Sequence, residues 1–310
     1  MTPVLCGVDV SSTSLDAAVR HGEAPAARFA NSVEGVAGLV AFCREHKVGL
    51  VVMEATGGCE RLPFSLLWAA DIPAAIVNAR SVRQFAGAMG LLEKTDRLDA
   101  GVIAWYAETK RIGPRPPASA TQQRLAALVQ RMRQLTALRT DQTNQRRAAT
   151  DADVKASFLP LLALVKAQLR DLEAEVARLI AADPLWARLD AAFRTVKGVA
   201  NRTVARLMAD LPEIGTLSNK AAAKLTGLAP IANDSGTSSK RRHIRGGRAS
   251  VRSILFLVAE VVRRHDPDFA AHHAKLTAAG KPKMVVRCAL ARKLIVRLNA
   301  KARDTRNALA

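Results

Sequence analysis

The chain has 310 residues, 49% of them hydrophobic, which is enough apolar material for one large domain or two ordinary ones and excludes wholesale disorder. Lys and Arg number 47 against 27 Asp and Glu, a formal net charge of +20. The excess is lopsided: residues 1–100 carry 9 basic and 11 acidic side chains, so residues 101–310 hold 38 and 16, a net of +22. A near-neutral half joined to a strongly basic half points to a folded module attached to something that grips a polyanion. The longest stretch without charge is the ten residues Ala156–Val165, too short to span a bilayer, so no membrane role is expected. The N-terminus, MTPVLCGVDV, has neither the basic start nor the apolar run of a signal peptide. Cys6, Cys43, Cys59 and Cys288 are scattered without a CxxC pair, which suits buried thiols in a reducing cytoplasm better than a zinc ribbon or a disulfide framework.

The first hundred residues alternate. Val4–Val10 is a β-branched apolar run and is expected to be a strand. Two more strand-like stretches, Leu15–Arg20 and Ala26–Asn31, follow with Gly22 and Pro25 between them, so a three-strand meander is expected. Val33–His46 has helical spacing through Val36, Leu39, Val40 and Cys43. Leu50–Glu54 reads as a strand stopped by Thr56-Gly57-Gly58, Arg61–Ala70 as a helix, Ala74–Val77 as a strand, with a helix after Arg80. Three antiparallel strands followed by αβαβα is the order of an α/β ribonuclease H-like sheet.

Pro114, Pro116 and Pro117 close this module near residue 112. Residues 113–183 read as a helical arm, with seams at Leu125, Leu128, Met132, Leu135 and Leu138 and at Val165, Leu169, Leu172, Val176 and Leu179. Such seams suit either packing within one chain or a coiled coil between protomers. A break is expected near Ser157–Pro160. Residues 184–310 form a third, mainly α region. Within it, Phe193-Arg194-Thr195-Val196-Lys197-Gly198-Val199 loosely resembles a helix-hairpin-helix, with Asn201 where a second glycine is usual. A polar, basic loop spans Ala232–Gly247 and a helix Ala249–Arg264. The stretch Lys281–Arg306 carries nine basic residues against Asp304 alone, and is expected to be a helix with one face kept for nucleic acid. His265, His272 and His273 read as surface histidines.

Asp9 and Glu54 end strands whose ends converge on one edge of such a sheet. Asp96 and Asp99, in Lys94-Thr95-Asp96-Arg97-Leu98-Asp99-Ala100, lie three apart at the start of a helix and share a face. Four carboxylates from three segments suit two Mg²⁺ ions, with Mn²⁺ an alternative for the same oxygen ligands. Taken singly, an Asp at a strand end or a helix cap is structural more often than catalytic; together, in this order, the four point to a site. Gly7-Val8-Asp9-Val10-Ser11-Ser12-Thr13-Ser14 also resembles the phosphate turn of actin-like ATPases, but the chain has no second copy of that turn. In Asn233–His243, Ser235 beside Gly236 is placed either to attack a phosphorus or simply to bind phosphate, with Ser238 and Ser239 nearby. Lys240, Arg241, Arg242, Arg245 and Arg248 supply cations for the nucleic-acid backbone.

Gly7-Val8-Asp9, Met53-Glu54-Ala55-Thr56-Gly57, Lys94–Ala100, Gly227-Leu228-Ala229-Pro230 and Asp234-Ser235-Gly236 occur in an order that resembles the IS110 insertion-sequence transposases, relatives of Piv-type DNA invertases. The resemblance covers roughly residues 3–300. It implies a RuvC-like DEDD domain, a coiled-coil arm and a C-terminal transposase domain. Asp9, Glu54, Asp96 and Asp99 then become the metal-binding carboxylates and Ser235 the nucleophile. It also implies donor and target DNA as substrates and a noncoding guide RNA. The assembly would be a homo-oligomer, dimer to tetramer, working at the nucleoid of a bacterial cytoplasm. The competing readings are a RuvC-like structure-selective endonuclease, in which water attacks, and a non-catalytic nucleic-acid-binding protein.

Overall fold

The computed structural model describes residues 3–21, 26–91, 96–232, 234–235, 238–239 and 242–309, with residues 96–98, 234–235 and 238–239 described in their backbone only. Two compact units divide the chain, Met1–Ala118 and Ser119–Ala310. Among the described residues no helix is long and apolar enough to cross a membrane.

The first unit is built on a five-stranded sheet. Strands β1 (Val4–Val10), β2 (Ser14–Val19) and β3 (Ala27–Ala30) form the antiparallel meander, and β4 (Val48–Glu54) and β5 (Ala74–Val77) add in parallel beside β1, giving the order β3-β2-β1-β4-β5. This is the ribonuclease H-like order. The turn marked by Gly22 and Pro25 lies outside the described residues.

Side chains alternate across a strand, so each strand serves two cores. Cys6, Val8, Val10, Val51 and Met53 pack under α1 (Val33–Glu45) and α2 (Arg61–Ala69) through Val36, Leu39, Phe64 and Leu67. Leu5, Leu50, Val52, Ala75 and Val77 take the opposite face. There they meet Val82 and Phe85 of α3 (Ala79–Ala88) and Val102, Ile103 and Ala107 of α4 (Asp96–Thr109). Burial on both faces is why β1 and β4 read as nearly continuous apolar runs. After α4 the proline-rich segment runs back along the sheet, where the Arg115 N–H donates to the Ala74 carbonyl at 3.0 Å.

Among the described residues, the second unit is helical apart from short strands within residues 230–244. Helices α5 (Ala120–Ala148) and α6 (Ala152–Ala182) are antiparallel neighbours, and the connection lies at Ala149–Asp151, not at the expected Ser157–Pro160. Asp151 caps α6 by accepting from the Val154 N–H at 2.9 Å. Pro160 sits inside α6, on an exposed stretch where water reaches the carbonyl that its missing N–H leaves without a donor. The leucine seams pack against each other within the chain: Leu125, Leu128, Met132 and Leu135 share one core with Val165, Leu169, Val176 and Ile180.

That core continues through α7 (Pro184–Arg194), α8 (Asn201–Asp210), α9 (Asn219–Leu225), α10 (Ala249–His265), α11 (Pro267–Ala278) and α12 (Lys283–Asn307). Helix α12 forms as expected, and one of its faces is buried in the core of this unit. Val286, Leu290, Leu294, Ile295, Leu298 and Ala302 face inward, and Asn299 is fully buried. Several of its cations hold the fold: Arg297 bridges Asp266 at 2.5 Å and Asp268 at 2.9 Å, and Arg306 donates to the Ile214 carbonyl at 2.9 Å. His265 is exposed, whereas His272 and His273 are half-buried.

Candidate functional site

The expected site residues fall in two groups, one in each unit. The first lies at one end of the sheet in the Met1–Ala118 unit. Asp9 is the sixth residue of β1 and half-buried. It shares a strand face with Leu5 and Gly7, the face that α3 and α4 cover. Glu54, half-buried, is the last residue of β4 and shares the same face with Leu50 and Val52. The two strands run parallel with Val8 beside Met53, so the next step along the register brings Asp9 and Glu54 to neighbouring positions. Glu54 pairs on its other side with Val77.

Helix α4 carries the other two carboxylates. It begins at Asp96, whose side chain lies outside the described atoms, and Asp99 is half-buried one turn on. The helix lies on β1 at very close range. A β-carbon on Gly7 would sit 2.0 Å from the Ala100 carbonyl oxygen and 2.6 Å from the Ala104 nitrogen. Only a residue without a side chain permits that approach. Asp99 immediately precedes Ala100, so the contact at Gly7 sets where Asp99 lies relative to Asp9. The structure thus brings Asp9 and Glu54 to adjacent strand positions and the start of α4 to the same face. Among the described side chains, which do not include that of Asp96, no three His, Cys, Asp or Glu form a group able to hold a metal ion. The donor set itself is of the hard oxygen type that Mg²⁺ and Mn²⁺ accept.

Asp16 of β2 stands directly opposite Asp9 in the antiparallel register, on the same face, and pairs with Arg28 of β3 at 3.6 Å. Like charges directly opposite are destabilising, and Arg28 offsets part of that repulsion. The alternation of β1 and β2 carried the signal for this pairing, but only once the turn length is known.

The second group is in the Ser119–Ala310 unit. Within the expected basic loop at Ala232–Gly247, the described residues pair in antiparallel ladders, as in a β-hairpin. Strands β6 (Pro230–Ile231) and β9 (His243–Ile244) pair at its base, and β7 (Asp234–Ser235) and β8 (Ser238–Ser239) pair further out, with Ser235 opposite Ser238. Ser235 is therefore the last paired residue before the two-residue connection Gly236-Thr237, which lies outside the described residues, as do Lys240 and Arg241. Arg242 and Arg245 are exposed.

Arg248, expected at the nucleic-acid backbone, also makes bonds within the fold. Its guanidinium grips Glu213 through two bonds of 2.6 Å and donates to the Asp210 carbonyl at 2.9 Å. Glycines complete the base. A β-carbon on Gly247 would meet the Gly227 nitrogen at 2.3 Å, and one on Gly227 would meet the Gly246 carbonyl oxygen at 2.2 Å. Both glycines have φ +68, in the left-handed region. The base of the hairpin is thus held between α9 and α10, and Ser235 belongs to the outer of its two ladders. Glu213 and Gly227 were not recognised as site residues from the sequence; for Glu213 no local pattern marks it.

Near the loose helix-hairpin-helix match, Gly198 has φ +101 and packs against Val262 of α10. Helix α8 starts after Ala200 without a side-chain cap, and Arg194, Lys197, Asn201 and Arg202 around it are exposed.

Residues 6–152 match the family model of an IS110 DEDD transposase domain, and residues 190–274 match that of the IS116/IS110/IS902 transposase family. The chain is 26% identical to the pilin gene-inverting protein of Moraxella bovis over 322 aligned positions, covering 99% of this chain and 98% of that protein. The pilin gene-inverting protein of Moraxella lacunata shows the same identity and coverage. Among solved structures, T. thermophilus RuvC in complex with a Holliday junction substrate aligns with 36% of this chain and 99% of its own, at 16% identity and a TM-score of 0.28.

Proposed function

The chain belongs to the IS110 family of transposases and is a DNA recombinase, and from that premise we propose that it cuts and rejoins donor and target DNA through Ser235. The observation that carries this reading is the clamped hairpin: a serine on its outer ladder, arginines flanking its return strand, and a base locked by Arg248 and glycines. A nucleophile needs such rigid support on a segment that still reaches substrate.

The Ser235 hydroxyl loses its proton and attacks the scissile phosphorus. An Oγ–P bond forms as the bond to the 3′-oxygen breaks, leaving a phosphoserine link and a free 3′-hydroxyl. Arg242 and Arg245, with Lys240 and Arg241, offset the charge that builds on the phosphoryl oxygens. A 3′-hydroxyl of the exchanged strand then attacks the phosphoserine, expelling Oγ, so no phosphodiester is hydrolysed overall. Asp9, Glu54, Asp96 and Asp99 would hold Mg²⁺ or Mn²⁺. When bound, the metal supplies Lewis-acid neutralisation of a phosphate oxygen. The gene-inverting relatives favour rejoining over hydrolysis, since inverting a segment requires every cut strand to be resealed.

Guidance by a noncoding RNA from the element is part of the same proposal. Aromatic residues make up only 4% of the chain, which leaves little for base stacking and suits a protein that holds backbone while pairing reads sequence. A homo-oligomer of two to four chains, with coiled-coil contacts, is supported by apolar side chains near the α5–α6 turn: Val154, Leu159, Leu161 and Leu164 are 48%, 47%, 38% and 55% exposed.

The test is a denaturing gel with labelled donor and target DNA, Mg²⁺ and RNA from the element's flanks. Wild type should give a protease-sensitive shifted band, and Ser235→Ala should give none while still binding DNA. Cleavage without an adduct in both proteins would move the reaction to a water-attacking nuclease. An adduct with Ser235→Ala would shift the nucleophile to Ser238 or Ser239.

A further inference from the structure

In the second unit, a cavity of about 440 Å³ opens between α5, α8 and α10. Its lining is of two kinds. Arg133 of α5 and Arg202 and Arg206 of α8 supply charge; Met132, Ile254 and Leu257 supply an apolar wall. Arg202 is neutralised by an ion pair with Glu173. Arg206 is not. One of its terminal nitrogens donates to the Ser250 carbonyl at 2.9 Å, but its Nε is buried with no acceptor. Asp210, one turn along α8, has a buried Oδ2 that accepts no hydrogen bond, and the nearest cation to it is Arg133 at 3.9 Å.

Two guanidiniums therefore share one carboxylate that fully satisfies neither. Burial, followed by the positive charge of Arg133, pushes the Arg206 guanidinium below its ordinary value, and Asp210 only partly offsets this. A half-buried cation beside another cation, with an unused N–H, gains twice from an anion: the donor finds a partner and the repulsion is cancelled. The wall beside it is equally unfinished. Leu257 is 61% exposed and Val261, one turn on along α10, is 42% exposed.

We infer that this cavity seats one nucleotide of an unpaired nucleic-acid strand, its phosphate on Arg133 and Arg206 and its base against Met132, Ile254 and Leu257. The volume falls in the range of small-ligand pockets, roughly 300–1,000 Å³. The pairing of charge with an apolar wall favours a nucleotide over free phosphate. A base stacked inside a duplex cannot reach such a wall, so the occupant is single-stranded. The inference rests on the chain handling nucleic acid, and does not depend on Ser235 chemistry.

The probes are fluorescein-labelled single-stranded DNA, single-stranded RNA of the same sequence, and the DNA duplex, with binding read by fluorescence anisotropy across salt. Leu257→Ser, at an exposed position that folding does not need, should weaken single-strand binding about fivefold and leave duplex binding within twofold. Arg133→Gln should weaken it as well and lower the slope of log affinity against log salt by about 0.7, one phosphate contact on a single strand. The strand type that loses more, DNA or RNA, is the occupant. Unchanged single-strand affinity in both variants, or an equal loss on duplex with Leu257→Ser, overturns the inference. Because the assay reads binding alone, it stands or falls separately from the Ser235→Ala adduct test.

Discussion

Replacing Gly7 with alanine should separate the fold of the first unit from its chemistry. The added β-carbon meets the Ala100 carbonyl oxygen at 2.0 Å and the Ala104 nitrogen at 2.6 Å, both backbone atoms of α4 that cannot rotate aside. Ala100 and Ala104 are themselves fully buried and have nothing to trim. Restoring an ordinary separation of about 3.3 Å requires the helix to retreat by about 1.3 Å. Overpacking of this kind costs about 1–3 kcal/mol, a tolerable part of a typical stability of about 5–15 kcal/mol. Asp99, one residue before Ala100, is carried away from Asp9 by the same step. A displacement of about 1 Å in a catalytic constellation costs about 10²-fold in rate. The variant should therefore melt lower but cooperatively. It should form the DNA adduct about a hundredfold more slowly and need more Mg²⁺ to reach half its maximum. Gly101→Ala on the same helix, where a β-carbon meets nothing within 4 Å, is the control and should stabilise by about 0.5–1 kcal/mol. Wild-type adduct rates in Gly7→Ala would refute the claim that the α4 contact positions the carboxylates.

Arg248→Ala removes the double bond to Glu213, but both side chains are a third or more exposed, so the loss of stability should be only about 1 kcal/mol. Adduct formation should fall far more than melting temperature, since the hairpin base loosens; equal, small effects on both would show that the clamp is dispensable. Asn299→Leu should cost about 2–4 kcal/mol in chemical denaturation. It strips a buried amide that accepts from the Gly215 N–H at 2.9 Å and donates to the Leu217 carbonyl at 2.9 Å. A variant as stable as wild type would mean those groups find other partners. The Arg20 guanidinium, followed by His21, holds the Glu108 carboxyl below its ordinary 4.5. A depressed carboxylate stabilises above its ordinary value and loses that contribution as pH falls through the depressed one. Melting temperature against pH should thus drop below about pH 4.5, and Glu108→Gln should flatten that limb.

The strand-end carboxylates were legible because the apolar runs of β1 and β4 stop where polar residues begin. The pairing itself could not be read, since the β1–β4 register shifts by one residue between Val4 and Leu5, and neither could the approach of α4. A glycine in mid-strand announces that something comes close, but not which backbone. The hairpin at Ser235 was hidden for another reason. Its ladders are two residues long and mostly polar, so they leave no alternation to detect, and the evidence for them is in the glycines at the base, 227, 246 and 247, whose positions make sense only together. At α6 the proline suggested a break, but Asp151 with its cap was the stronger signal, since a proline in an exposed turn removes only a bond that water replaces.

Charge was the least transparent feature, and α12 shows why. Its apolar residues recur at helical spacing from Val286 to Ala302, a pattern fully present in the sequence, yet the cations between them suggested a face kept for nucleic acid. In the folded chain, acids and arginines are matched: Arg124 with Glu175, Arg194 with Asp190, Arg202 with Glu173, Arg248 with Glu213, Arg263 with Glu260, Arg297 with Asp266. Asp151, Asp183 and Asp266 also cap helices. Much of the acidic complement is thus committed to holding the unit together. The polyanion-binding capacity resides in the cations left over, and their position follows from subtraction, not from counting. Arg245, exposed just beyond the hairpin's return strand, and Arg206, with its unsatisfied Nε, are where the phosphate contacts are expected.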